Sequence, residues 1–230
     1  MFCITLNIYY ICAVTNIIYN RIMEEKIVYP DIFKTAWRGL KSQFWLLVGL
    51  VIGFTIIYSF FIIFTIPEKV EPFGISNIIV GIFGMLLSGL FGMGYLKNCM
   101  QTLDGEEPQF SAYGQVSRKL PAFIATYIIY SLIVLIGLVL FIIPGIYLGI
   151  RFQFYLAFIV EDNCGIIESF KRSWNITKGC SMKLFVLGLI MILISFAGSI
   201  ALFVGIFIAV PLIVLMYGCT YRKLTEPVAQ

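Results

Sequence analysis

Apolar residues run in long blocks along this chain, and polar residues are confined mostly to the gaps between the blocks. A bilayer hydrocarbon core is about 30 Å thick, so a spanning helix needs about 20 apolar residues. Residues 44–66, ended by Pro67, meet that requirement, and so do residues 75–96. Between them Pro67-Glu68-Lys69-Val70-Glu71-Pro72 is charged and rich in helix breakers. Residues 122–143, preceded by Pro121, predict a third span. Pro144-Gly145 predicts a tight turn, and residues 146–160 a short fourth span interrupted by Arg151. Residues 184–217 are apolar throughout. As one helix they would be about 50 Å long, so they divide into two spans with a turn near Gly198-Ser199. The expected fold is all-α: a polytopic membrane protein with six transmembrane helices paired as three hairpins.

A different periodicity precedes the first span. Ile32, Phe33, Ala36, Trp37 and Leu40 fall on one face of a predicted helix, with Lys34, Arg38 and Lys41 on the other. The pattern returns before the fifth span. There Ile166, Ile167, Phe170 and Trp174 make an apolar stripe opposite Glu168, Lys171, Arg172 and Lys178. Phe33/Lys34/Trp37/Lys41 repeats as Phe170/Lys171/Trp174/Lys178 at an offset of 137 residues. Basic helices bearing aromatics lie in the headgroup plane, which makes Phe33, Trp37, Phe170, Trp174, Lys171 and Arg172 candidate interfacial anchors. Residues 110–119 resemble a weaker third copy. Internal repeats are frequent in transporters, and also arise by duplication of a purely structural unit.

Residues 1–22 are apolar but carry Asn7, Asn16, Asn20, Cys3 and Cys12, with no basic region ahead of them. They match a secretory signal poorly. The expectation is an extension upstream of a start at Met23, with a seventh span as the alternative. Residues 23–224 then form one six-span domain, and 225–230 a short tail.

Lysine and arginine placement orients the spans. Of the 16 basic residues, 14 fall on the side that carries both ends of the six-span domain, Lys69 falls opposite, and Arg151 lies within a span. Both ends are therefore expected in the cytoplasm, with the domain in the plasma (inner) membrane. The net charge of +4 reads as topology rather than as a nucleic-acid footprint. Composition agrees: 60% of residues are hydrophobic, 12% are charged, and the mean hydropathy is +0.98. A soluble chain is roughly 25% charged. There is no histidine, which excludes imidazole as base, proton shuttle or metal ligand.

Arg151 is the sharpest candidate, because a charge within a span is costly and such residues line interiors or aqueous paths. Tyr155, Glu161, Asp162 and Glu168 are its expected partners. A snorkelling arginine or a structural ion pair is the simpler alternative. The carboxylates could bind a cation or act as acid and base, but their neighbours Lys171 and Arg172 favour ordinary ion pairs, with Glu168 and Arg172 at i,i+4 spacing. Small residues recur at Gly84, Ser88 and Gly92, and again at Ala197, Ala201, Gly205 and Ala209. Such stripes let helices approach closely, within the chain or between copies. Pro211 is expected to kink the sixth span. Cys99, Cys164, Cys180 and Cys219 show no Cys-x-x-Cys spacing, so no metal or cofactor is expected. Asn175-Ile176-Thr177 matches a glycosylation sequon but falls on the predicted cytoplasmic side.

Several strings in combination resemble one family. They are Gly105-Glu106-Glu107-Pro108-Gln109-Phe110-Ser111, Ile143-Pro144-Gly145-Ile146-Tyr147-Leu148, Lys171-Arg172-Ser173-Trp174-Asn175-Ile176-Thr177-Lys178-Gly179, and Tyr221-Arg222-Lys223-Leu224. Over roughly residues 24–224 the chain resembles the glycerophosphoryl diester phosphodiesterase membrane-domain family and its uncharacterised six-span relatives. The resemblance implies the membrane region alone, since the family's catalytic domain uses histidines. The resulting expectation is a non-enzymatic membrane module that organises lipid or partner proteins. Its partners would be membrane lipids, and either other membrane proteins or a second copy of the chain. The alternative is a small transporter or channel with Arg151 in its pathway. A lipid-modifying enzyme is disfavoured by the missing histidine and the lack of paired carboxylates within spans.

Overall fold

The computed structural model describes residues 21, 23–65, 75–200 and 204–226. The expectations for residues 1–20 and 22, and for the turn at Pro67–Pro72, lie outside them. Every regular element among the described residues is helical.

Pro30 at the start and Asp31 in the first turn open α1 (Tyr29–Ser42), and Lys41 closes it, matching the helix dipole. Ile32, Ala36 and Leu40 recur every fourth residue, and all three are buried. Phe33 and Trp37 lie one residue round the helix and stay exposed, stacked 6.2 Å apart. The single apolar face expected from the sequence is thus two surfaces: a stripe in the core and an aromatic shoulder outside it.

Helix α2 (Phe44–Thr65) and helix α3 (Ile75–Leu103) follow. Gly105, at φ 80°, ends α3: its amide and that of Glu106 bond back to Thr102 and Gln101, the pairing of a Schellman cap. Helix α4 (Ser111–Ser117) is a short connector, and α5 (Leu120–Leu140) carries Pro121 in its first turn.

The turn between the third and fourth spans is not at Pro144-Gly145. Phe141 alone is extended, at φ −158° and ψ 137°, and α6 (Ile142–Phe152) begins with Pro144 in its first turn, where a missing amide costs nothing. A one-residue connection forces the two helices together. A Cβ on Gly145 would lie 2.6 Å from the Leu138 amide nitrogen, and one on Gly137 2.8 Å from the Gly145 Cα.

The fourth span breaks at Gln153-Phe154 and resumes as α7 (Tyr155–Val160). Asn163, at φ 54°, turns the chain into α8 (Ile166–Ile176), and Gly179, at φ 86°, turns it out again. Helices α9 (Ser181–Ile200) and α10 (Val204–Thr225) form the last hairpin. Gly198 and Ser199 are not a turn: both are helical, and α9 runs on to Ile200. Gly198 instead marks the close approach of the pair, since its Cβ would meet the Gly205 carbonyl and the Ala209 Cβ at 2.9 Å. On α3 the close approaches are at Gly89 against Phe123 and Gly94 against Tyr113; Gly84 meets Phe61 and Tyr58 at ordinary contact distance, and Gly92 faces open space.

Among the described residues six helical segments are long and apolar enough to cross a membrane: Phe44–Ile63, Asn77–Leu103, Leu120–Leu140, Ile142–Val160, Ser181–Ile200 and Gly205–Thr225. Helix α10 is the hub, packing against α1, α2, α3 and α9. The buried core gathers at the basic end, around Leu40, Leu47, Met93, Met100, Leu215 and Met216. Met23 and Ile27 are buried there as well. The other end presents exposed Ile57, Phe60, Ile79, Val139, Ile143 and Phe196, as a lipid-facing surface requires.

Candidate functional site

A helix that breaks inside a span leaves backbone groups without partners, and in hydrocarbon each must be satisfied by protein. At Gln153-Phe154 the chain supplies them from two other elements. On α8, Ser173 Oγ donates to the Arg151 carbonyl at 2.9 Å and accepts from the Phe154 amide at 3.2 Å. Thr177 Oγ1, one turn on, lies 3.1 Å from the Arg151 carbonyl and shares its one proton between that oxygen and the Ser173 carbonyl of its own helix, at 2.8 Å. On α10, the Tyr217 hydroxyl donates to the Gln153 carbonyl at 2.9 Å. The string Lys171–Gly179 therefore has a mechanical meaning: its hydroxyls hold the break in the fourth span, and its glycine turns the chain away.

Arg151 sits at this break, 3% exposed. Its guanidinium lies 4.0 Å from the centroid of the Trp174 ring and 5.8 Å from that of Tyr147. Its Nε is buried without a hydrogen-bond partner. No carboxylate among the described residues pairs with it. None of the expected partners pairs with it. Glu161 pairs with Lys97 at 3.0 Å and Arg222 at 3.3 Å. Asp162 and Glu168 both pair with Arg172, and Tyr155 packs on Tyr130 and Phe170. The reason is distance along the span: Glu161 and Asp162 follow Arg151 by ten and eleven residues, about 15 Å of helical rise, which carries them to the basic end, while α8 returns Trp174 to the arginine. Trp174 is accordingly half-buried against the span, with Phe170 edge-on to Phe152, rather than standing free like Trp37.

The acids belong to a network that ties α3, the α7–α8 corner and α10. Arg222 bridges Glu161 and Asp104, the Tyr221 hydroxyl donates to Asp162, and Lys119 Nζ donates to the Val160 carbonyl at 2.6 Å. Burial and the neighbouring Lys97 hold the Lys119 ammonium below its usual range, against the opposing pull of Glu161 and Asp162. Lys171 makes no ion pair among the described residues. Cys99, Cys164, Cys180 and Cys219 are buried free thiols on separate elements. Burial pushes Cys180 up to about 11, although Arg151 nearby acts in the opposite sense. Pro211 lies inside α10, facing the core.

Two concave regions flank the break. A lateral groove of about 760 Å³ runs between α5, α6 and α8 over Leu148, Phe152, Phe170 and Trp174, with Lys171 and Asn175 at its edge. A cavity of about 500 Å³ lies on the other side, among α3, α5, α7, α9 and α10. Arg151 lines neither. Ser173, Thr177 and Tyr147 stand in the sequence only within the family-like strings, and neither they nor Tyr217 and Gln153 are site candidates there. One signal was available: Ser169, Ser173 and Thr177 repeat every fourth residue on an amphipathic helix, and all three are fully buried.

The family model for a domain of unknown function, DUF7847, matches residues 109–230, which include every part of this break. The chain belongs to that family. It is 31% identical over 133 residues to the uncharacterized protein Rv2560 of Mycobacterium tuberculosis (strain H37Rv), and equally to the uncharacterized protein Mb2590 of Mycobacterium bovis. Each match covers 57% of this chain and 40% of the relative, so the shared segment is less than half of those proteins. No solved structure matches. Family membership thus carries an uncharacterised fold with apolar helices, and no activity is attached to it.

Proposed function

We propose that this chain is a non-enzymatic module of the plasma membrane that holds lipid at its lateral surface, with both ends of its six-span domain cytoplasmic. The observation that carries the reading is the groove between α5, α6 and α8. Its floor of leucine, phenylalanine and tryptophan suits an acyl chain. Lys171, unpaired at the edge, suits an anionic headgroup. The exposed pair Phe33 and Trp37, with Lys41 5.5 Å over the Trp37 ring, supports a second contact with the headgroup plane. The clustering of basic residues at one end supports the orientation. The absence of histidine, and the resemblance to the membrane region of the phosphodiesterase family, support a role without catalysis. A transport path through Arg151 draws no support from a guanidinium packed on Trp174 and open to neither concavity.

Extraction in native-lipid discs followed by identification of bound lipids tests this. Anionic phospholipid should be enriched several-fold over the bulk membrane, and Lys171→Glu should remove the enrichment. Bound lipid of bulk composition in both proteins would overturn the reading. Cysteines introduced at Lys26 and Thr225 should label only from the cytoplasmic side.

A further inference from the structure

The cavity behind the break differs in chemistry from the groove. Tyr95, Tyr130, Tyr155 and Tyr217 line it with Gln153 and Gly92, and the remaining wall is aliphatic side chains, Met191 and Phe91. Among the described residues no lysine, arginine, aspartate or glutamate contributes to it. An ion or a phosphate headgroup moved into such a wall would lose its hydration and meet no opposite charge to offset the loss. Its volume, about 500 Å³, falls in the range of small-molecule sites, which are mostly apolar with a few placed polar groups.

The polar groups are sorted in a particular way. Tyr95, Tyr130 and Tyr217 spend their hydroxyl protons on the backbone carbonyls of Leu47, Gly149 and Gln153. Tyr155 does not. It is 7% exposed, and its hydroxyl has no hydrogen-bond partner among the described residues. The Gln153 side-chain amide, at the break, likewise has none. Two groups free to donate, on residues 153 and 155 of an uncharged, ring-lined cavity, suit a ligand that accepts. From this geometry we infer that the cavity binds a neutral lipophilic molecule bearing carbonyl or ether oxygens, with Tyr155 and Gln153 donating to them.

Decylubiquinone, neutral and acceptor-bearing, is the probe; decylbenzene, similar in shape but without oxygens, is the control. Gly92 allows the cavity to be filled without strain, because a Cβ there meets nothing within 4 Å. The purified full chain should bind decylubiquinone saturably at about one per chain, read by native mass spectrometry and by a rise in thermal midpoint. Gly92→Leu should weaken binding at least tenfold, and Val210→Phe fills the same cavity from α10 should Gly92→Leu fail to fold. Tyr155→Phe should weaken decylubiquinone several-fold and leave decylbenzene unchanged. Lys171→Glu should leave decylubiquinone binding intact, which separates this site from the groove. Absence of saturable binding to the wild-type chain, or equal binding to the folded filled variants, would overturn the assignment. Equal affinity in Tyr155→Phe would overturn the acceptor class.

Discussion

The guanidinium of Arg151 lies over the ring of Trp174, 4.0 Å from its centroid, while the residue before that tryptophan, Ser173, holds the arginine's own carbonyl. One residue of the broken span is thus gripped at its side chain and its backbone by adjacent residues of α8. A cation on an aromatic face is worth about 2 kcal/mol when desolvated. A double-mutant cycle of Arg151→Met and Trp174→Leu, read by unfolding in mixed micelles, should show coupling of about that size. Additive effects would mean that the stacking contributes nothing.

Ser173 donates to the Arg151 carbonyl, and Thr177, whose one proton is shared between that oxygen and the Ser173 carbonyl, can turn to it when Ser173 is lost. Ser173→Ala or Thr177→Val alone should cost about 1 kcal/mol, and the pair together more than the sum, because only the double variant leaves the carbonyl orphaned. Ser173→Ala should be the costlier of the two, since it also strands the Phe154 amide.

Two glycine substitutions should differ sharply. Gly145→Ala drives a methyl into the Leu138 backbone and should cost about 3 kcal/mol or prevent insertion of the third hairpin. Gly188→Ala meets nothing within 4 Å and should stabilise α9 by about 0.5–1 kcal/mol. Thermal midpoints of the two variants check this.

Cys180 is raised by burial to about 11 in the fold from an ordinary 9.0. The folded state therefore favours the neutral thiol. That contribution to stability is complete below pH 9 and is lost as pH rises toward 11. Unfolding measured from pH 8 to 10.5 should show an alkaline decline that is smaller in Cys180→Ala. Maleimide, which needs thiolate, should leave Cys180 unlabelled at pH 7 until the protein is unfolded.

Glu161 is largely buried between Lys97 and Arg222, whereas Glu168 pairs with Arg172 in solvent. Glu161→Gln should lower the thermal midpoint measurably. Glu168→Gln should leave it unchanged, as exposed pairs contribute little.

The chain's own pattern was enough to count six spans, to find the amphipathic α1 and α8, and to single out Arg151. Each follows from one-dimensional quantities: length of apolar run, helical periodicity, and a lone charge inside a run. Residues 109–230 also carry the family signal in sequence alone.

What the sequence could not determine is which groups meet. Glu161 and Asp162 are nearer to Arg151 along the chain than Trp174 is, yet the tryptophan holds it. Helical rise alone carries the acids about 15 Å past Arg151. The backbone at Gln153-Phe154 is satisfied by Ser173, Thr177 and Tyr217, which meet it only in space. Their hydroxyls are ordinary residues on ordinary helices until tertiary structure brings them within 3 Å or so of a carbonyl. Likewise the fourfold recurrence of small residues suggested close approach at Gly92, but α3 meets its neighbours most closely at Gly89 and Gly94 and leaves Gly92 facing the cavity. Periodicity fixes which residues share a face; which faces find a partner is set by how long each span is, where it breaks, and what returns to cover it.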